Sequence, residues 1–341
     1  MKKVLVTGSQ GFIGTYICLE LLRKGYKVVG IDNFSKYGPV SRPHDKDPNF
    51  TLLQMDVCDL VPQQIPIELL DVDYIVAGAA MIGGISYFHK YAYDLLAKNE
   101  RIIASTFDLA IKLYKEYKLN KIVVLSSSMV FENTELFPTP EEEVEKCPPP
   151  LSTYGFQKLS CEYFCRGAYE QYGLPFTIVR PFNCVGIGED KALGESEVKS
   201  GNIELMMSHV LPDLINKIIK GQYPVHILGS GEQIRCYTNG KDIATGIRLC
   251  MEDANAQNQD FNISTSESIT VVELAEMVWN VWKNFSKTEK EFKYICDAGY
   301  KYDVQKRIPD VKKAEELLKF KAEISIEESV KEVFEWVKNH G

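Results

Sequence analysis

No basic run longer than Lys2-Lys3 occurs in the 341 residues, and the formal net charge is -8 at pH 7. A nucleic-acid surface needs a basic stripe to neutralise phosphates, so that class of partner is excluded, although a local positive pocket for one small phosphate ligand is not. No apolar stretch approaches the roughly 18 residues of a bilayer-crossing helix, and the N-terminus runs straight into a strand pattern without the blocks of a signal peptide. A cytoplasmic protein without membrane contact is expected. Nine cysteines include no C-x-x-C pair, and their odd number and scatter suit reduced core thiols rather than a disulfide framework. Cys161 and Cys165 share a helical face, yet none of the five histidines is near them in sequence, so no metal site is expected. Internal repeats and low-complexity tracts are missing too.

What is present is an α/β pattern. Hydrophobic residues make up 45% of the chain, ample for the core of one large or two modest domains. Lys3 to Thr7 is a β-branched run leading into Gly8-Ser9-Gln10-Gly11-Phe12-Ile13-Gly14. An apolar helical pattern follows to Leu22, closed by Gly25, and Lys27 to Ile31 reads as a second buried strand. In such a βαβ unit the glycines let the backbone approach a pyrophosphate, whose charge the helix N-terminus stabilises. Asp32, at the end of the second strand, can accept hydrogen bonds from an adenosine ribose and would repel a 2′-phosphate, which favours NAD over NADP. The candidate cofactor residues of this unit are Gly8, Gln10, Gly11, Phe12, Ile13, Gly14, Asp32 and Asn33.

Further strands are expected at Leu52 to Met55, ending on Asp56-Val57, and at Asp73 to Ala77, running into Gly78-Ala79-Ala80. Small residues at a strand's carboxyl end permit close approach by a ligand; Gly83-Gly84 reads equally as such an approach or as a tight turn. A helix from Asn99 to Tyr117 precedes a fifth strand, Lys121 to Leu125, which delivers Ser126-Ser127-Ser128 to the carboxyl edge. Strands alternating with helices imply a doubly wound, mostly parallel sheet. Tyr154 and Lys158 then fall one turn apart on a helix that Ser152 caps and that Pro148 to Pro150 cannot extend backwards. An ammonium so placed favours the phenolate, and such a tyrosine can exchange a proton with a substrate hydroxyl. Taken alone, the pair also suits an ordinary amphipathic helix.

Thr7 to Gly14, Asp32-Asn33, Asp56-Val57, Ala79-Ala80, Asn99, Ser126-Ser127, Tyr154-x-x-x-Lys158 and Arg180-Pro181-Phe182-Asn183 come in an order that resembles the extended short-chain dehydrogenase/reductase family. The likeness is to its NAD-dependent nucleotide-sugar epimerase and dehydratase branch, and it covers nearly the whole chain. It implies a Rossmann sheet with a smaller α/β substrate-binding region, NAD as cofactor and a nucleotide-diphosphate sugar as substrate. Asp56, Val57, Ala79, Ala80 and Asn99 are then further cofactor contacts. Tyr154 is the implied acid/base, Lys158 the holder of the nicotinamide ribose, and Ser127 the donor to the reacting oxygen. Gly83, Gly84, Ser128, Asn183, His209, Arg235 and Arg307 fall on the substrate side, the two arginines at the diphosphate. In relatives, the helices matching 99–117 and 152–172 form a four-helix contact, which implies a homodimer.

Departures from the family pattern narrow the reaction. Dehydratases follow the serine or threonine with Asp-Glu, whereas here Ser128 and Met129 stand there, which disfavours loss of water and also counts against decarboxylases. Glu132 replaces a glycine and is expected to alter the loop over the nicotinamide. Ser208-His209-Val210-Leu211-Pro212 resembles a segment of GDP-fucose synthases, whose histidine is an acid in C3/C5 epimerisation, but the cysteine that partners it falls at Met129. Later elements are expected as a helix from Glu204 to Lys220, a strand from Val225 to Leu228 and a helix over 241–252. Residues 1–180, with 236–259 returning, are expected to form the NAD-binding domain, and 181–235 with 260–341 mainly the substrate region. The expected activity is epimerisation, as inversion at C4 through a transient 4-keto sugar. The alternatives are a 4-keto-sugar reductase, an enzyme like GDP-fucose synthase or GDP-mannose 3,5-epimerase, or a non-catalytic dinucleotide sensor.

Overall fold

Near-continuous apolar strands such as Val4-Leu5-Val6 belong in a parallel sheet covered on both faces, because alternate side chains then meet two separate cores. A computed structural model of the chain describes residues 1–82, 90–189, 199–200, 203–204, 209–299 and 304–340. Its main sheet contains β1 (Lys3–Thr7), β2 (Lys27–Asp32), β3 (Phe50–Gln54), β4 (Tyr74–Ala77), β5 (Lys121–Leu125), β6 (Phe176–Pro181) and β7 (Gln259–Ile263). The order is β7-β6-β5-β4-β1-β2-β3, with every neighbouring pair parallel. It is the doubly wound Rossmann arrangement expected from the alternation of elements.

Val4 and Val6 face one core, shared with α1 (Phe12–Arg23), α5 (Gly240–Glu252) and α7 (Lys312–Leu318). Leu5 faces the other, shared with α2 (Ala92–Glu116) and α3 (Thr153–Tyr172). A third, smaller core joins α4 (Val210–Ile219), α6 (Val271–Ser286) and α8 (Ile326–His340) to the short strand Val225–Leu228. Leu214, Ile215, Leu274, Val278, Trp279, Val333 and Phe334 are buried there. The first core also takes Phe261 and Ile263 of β7 and Ala314, Leu318 and Phe320 around α7, so these residues lie with the large sheet.

Two helices differ in extent from the sequence reading. Helix α4 starts at Val210, not Glu204, because Ile203–Glu204 is a short strand and His209 is extended (φ -75°, ψ 167°) as the N-cap. Pro212 falls in the first turn, where a missing N–H costs nothing. Helix α2 starts at Ala92, because its first two turns border a cavity and so lack the buried periodicity of the rest.

Candidate active site

A cavity of about 1030 Å³ opens along the carboxyl edge of the sheet and runs to the smaller core. Its first wall is the turn after β1. Gly8 has φ +75°, and a Cβ there would lie 2.9 Å from Ala79 Cα; a Cβ on Gly14 would lie 1.9 Å from Gly8 O. Only glycine fits either position. No side chain caps α1 at Gly11, so its first amide groups face the cavity that Gly11 to Gly14 line. A cradle without side chains at an uncapped helix start fits a dinucleotide pyrophosphate.

Asp32 closes this turn. Its carboxylate accepts from Gln10 N at 3.0 Å and from Phe34 N at 2.8 Å, which leaves lone pairs for ribose hydroxyls. Burial pushes its pKa up, and the two amides and Arg42 work against that rise. Asp56 accepts from Lys98 Nζ at 2.7 Å, from Asn33 Nδ2 at 2.9 Å and from Cys58 N at 2.9 Å. Burial alone would raise its pKa, but these donors hold it at about 2. Nothing in the sequence marks Lys98, because a lysine on an amphipathic helix carries no signal of its own.

Behind β4, Thr7 Oγ accepts from the amides of Gly78 and Ala79, each at 3.1 Å. Ala79, Ala80 and Met81 line the cavity. Asn99 does not; its carboxamide accepts from Met81 N at 2.7 Å and donates to Met81 O at 2.9 Å, fixing that loop from behind. Gly83 and Gly84 lie outside the described residues.

Tyr154, Lys158, Ser127 and Ser128 meet on the cavity wall beyond β5. Ser152 caps α3 by accepting from Gly155 N at 3.0 Å. Glu132 in turn accepts from Ser152 N at 3.1 Å and from Ser152 Oγ, so the residue in place of the family's glycine clamps the start of the helix that carries Tyr154. Lys158 Nζ donates to Leu125 O at 2.9 Å and lies 6.0 Å from the centre of the Tyr154 ring. Ser126 and Ser127 part company here. Ser126 Oγ donates to the buried Glu162 at 2.6 Å, whereas Ser127 Oγ accepts a 3.2 Å bond from Met129 N and lines the cavity. Met129 packs with Leu95 against Tyr154.

On the far side, Asn183 takes φ +35° and its Nδ2 donates to Cys236 O at 3.1 Å. His209, the N-cap of α4, meets the buried Glu189 through both its ring Nδ1 and its amide, the latter at 3.2 Å. Burial would raise the Glu189 pKa, yet the His209 ring beside it brings it below the usual carboxylate value. Arg235 and Arg307 are partners in a parallel strand pair, Ile234–Arg235 with Lys306–Arg307, which puts both side chains on one face. Arg235 donates to the carbonyls of Ile234, Val304 and Gln305, and Arg307 Nη2 lies against Met129 Sδ. Asn183, His209, Arg235 and Arg307 all line the same cavity as Tyr154.

The family model described as NAD dependent epimerase/dehydratase matches residues 4–264. The chain is 28% identical to a putative UDP-glucose 4-epimerase of Methanocaldococcus jannaschii, over 99% of each. It is 26% identical to a UDP-N-acetyl-alpha-D-glucosaminuronate decarboxylase of Bacillus cytotoxicus, over 99% of this chain and 98% of that one. The crystal structure of UDP-glucose 4-epimerase with UDP-glucose from Thermotoga maritima superposes with a TM-score of 0.79 at 26% identity, covering 99% of both chains.

Proposed function

This chain belongs to the NAD dependent epimerase/dehydratase family, and from that premise we propose that it inverts C4 of a nucleotide-diphosphate sugar through a transient 4-keto sugar. It is an NAD-dependent nucleotide-sugar epimerase. The observation that carries the reading is the grouping of Tyr154, Lys158 and Ser127 on the wall of the cavity that the glycine turn also lines.

When bound, NAD supplies reversible hydride exchange at its nicotinamide. The residues fitted to hold it are the Gly8 to Gly14 turn at the pyrophosphate, Asp32 at the adenosine ribose, Asp56 and Val57 at the adenine, and Lys158 at the nicotinamide ribose. Tyr154 Oη takes the proton of the C4 hydroxyl as the carbonyl forms and returns it after the ring has turned. The Lys158 ammonium steadies the phenolate, and Ser127 Oγ donates to the oxygen on which charge develops. Arg235 and Arg307 hold the diphosphate, with forked donors suited to phosphate oxygens. That anchorage lets the sugar rotate while the nucleotide stays in place. Met129 supports epimerisation over dehydration or decarboxylation, because a thioether cannot move a proton.

The test is where hydrogen goes. Turnover in deuterium oxide should give product with no carbon-bound deuterium and no net consumption of cofactor, because the C4 hydrogen never meets solvent. Deuterium at C3 or C5 that disappears in His209→Ala would instead assign α-proton removal to the His209 and Glu189 pair. Stoichiometric loss of added NAD(P)H would make the enzyme a reductase.

The domain division, assembly and location belong to the same proposal. The NAD-binding unit is built on residues 1–180 and 236–259, and residues 181–235 with 260–341 mainly supply the substrate wall, apart from β7 and α7, which pack with the large sheet. A homodimer through α2 and α3 is supported by exposed Tyr93, Phe156 and Tyr163, the last two being two turns apart on one face of α3. Sedimentation at micromolar concentration should report two copies, and Phe156→Asp with Tyr163→Asp should give one; a wild-type monomer would end that part. No described helix is long and apolar enough to cross a membrane. All nine cysteines are free thiols, which supports the cytoplasm as the compartment.

A further inference from the structure

In the reading above, Ser127 and Tyr154 serve the same sugar oxygen, yet they sit on separate pieces of chain. Ser127 caps the one-turn helix Ser128–Phe131, and Tyr154 lies in the first turn of α3. Glu132 joins the two pieces. As the C-cap of the short helix its amide donates to Met129 O at 3.2 Å, while Val130 N donates back to Ser127 O at 3.2 Å. Its carboxylate accepts from Ser152 N at 3.1 Å and from Ser152 Oγ. With the hydroxyl proton given to Glu132, the lone pairs of Ser152 Oγ are left for Gly155 N, at 3.0 Å in the first turn of α3. Asn133 adds a second tie, donating through Nδ2 to Pro149 O at 2.7 Å. The approach is close: a Cβ on Gly155 would lie 2.8 Å from Met129 O and 2.9 Å from Glu132 Oε2. Glu132 is half-buried and does not line the cavity that Tyr154 lines, so it reaches the reaction only through its neighbours.

We propose that Glu132 is a positioning residue for the epimerisation: it fixes the gap between the Ser127 hydroxyl and the Tyr154 phenol, across which one substrate oxygen is shared. The proposal rests on the roles given above to Tyr154 and Ser127. Both groups must reach that oxygen at once, and each works only near its best hydrogen-bond distance. The chain runs 20 residues from Glu132 to Ser152, so covalent continuity does not set the gap. The Glu132 carboxylate closes it at the root of both elements. The link needs two polar atoms and the reach of glutamate, because one donor is a backbone amide and the other a hydroxyl. A glycine in this place, as in the usual family pattern, has no group to offer Ser152.

The experiment is steady-state kinetics on the NAD-loaded protein, with UDP-glucose, UDP-N-acetylglucosamine, UDP-glucuronate, dTDP-glucose and GDP-mannose as probes, continued on whichever turns over fastest. Glu132→Ala should lower kcat about tenfold or more while KM and NAD content stay within about threefold, because misplacing one of two groups weakens the transition state and not the ground state. Glu132→Gln keeps the reach, accepting from Ser152 N through Oε1 and donating to Ser152 Oγ through Nε2, and should stay within about threefold of wild type. Glu132→Asp keeps the charge and loses the reach, and its kcat should fall about threefold or more below that of Glu132→Gln. This ranking stands as a test even if the alanine variant does not fold. Full kcat in Glu132→Ala, with only a lower melting temperature, makes the tie structural and overturns the proposal. The reverse ranking, Glu132→Asp active and Glu132→Gln impaired, also overturns it, giving the role to negative charge at the start of α3. Tyr154→Phe is measured alongside. Near-normal turnover there, or no turnover of any probe by the wild-type protein, removes the reading of the site and this proposal with it. Loss in Tyr154→Phe with none in Glu132→Ala removes this proposal alone.

Discussion

Tyr154→Phe lowers turnover at least about a hundredfold, the usual scale for loss of a general acid/base, while binding of substrate and NAD is largely kept. The substitution deletes one oxygen. The ring stays packed between Leu95 and Met129, the Ser152 cap of α3 is untouched, and Lys158 still donates to Leu125 O. The loss should therefore appear in kcat rather than in KM. Steady-state kinetics on an accepted sugar nucleotide, with calorimetry of binding to the variant, separates the two. Turnover within about threefold of wild type would remove Tyr154 from the chemistry.

Glu162→Ala destabilises the fold by about 3 kcal/mol or more, because it strips a partner from a fully buried guanidinium. Both residues are 0% exposed, and Arg180 donates to the two Glu162 oxygens through Nε and Nη2, each at 2.8 Å. Arg180 also pairs with Asp260 at 2.7 Å, which in turn meets Lys313 at 2.8 Å. Because Asp260 remains, the cost falls at the low end of the range of about 3–5 kcal/mol for breaking a buried pair. The alanine further leaves Ser126 Oγ without its 2.6 Å acceptor at the end of β5. Denaturant unfolding measures the loss, and a change below about 1 kcal/mol would mean that water or a neighbour replaces the carboxylate.

The parts of this protein that were legible in advance are those written within one or two turns of chain. The Gly8 to Gly14 turn, Asp32 and the Tyr154 to Lys158 pair each owe their meaning to near neighbours, and β1 and β5 run over the expected residues. The Ser152 cap was legible for the same reason. Groups joined across the sheet were not. The bond from Lys98 to Asp56 spans 42 residues, and the neighbouring of Arg235 and Arg307 depends on strand register. Glu162 gave no sign in the sequence of its place between Ser126 and Arg180. Glu132 was visible as a departure, but its hold on Ser152 needs the fold. The helix drawn from Glu204 failed because apolar periodicity does not register an extended N-cap at His209.

The smaller core has an implication for how the protein is made. Its walls come from α4, α6 and α8, and α8 is the last of the described helices in chain order. Strands β1 to β6 and the dinucleotide turn leave the ribosome well before Val330, Val333 and Phe334, which complete the packing behind α4. The nascent chain can thus assemble most of its cofactor half while the helix that His209 caps still lacks its support. A chain that stops short of residue 326 therefore lacks Val330, Val333 and Phe334 and leaves α4 without the packing behind it, although every strand of the large sheet has been made.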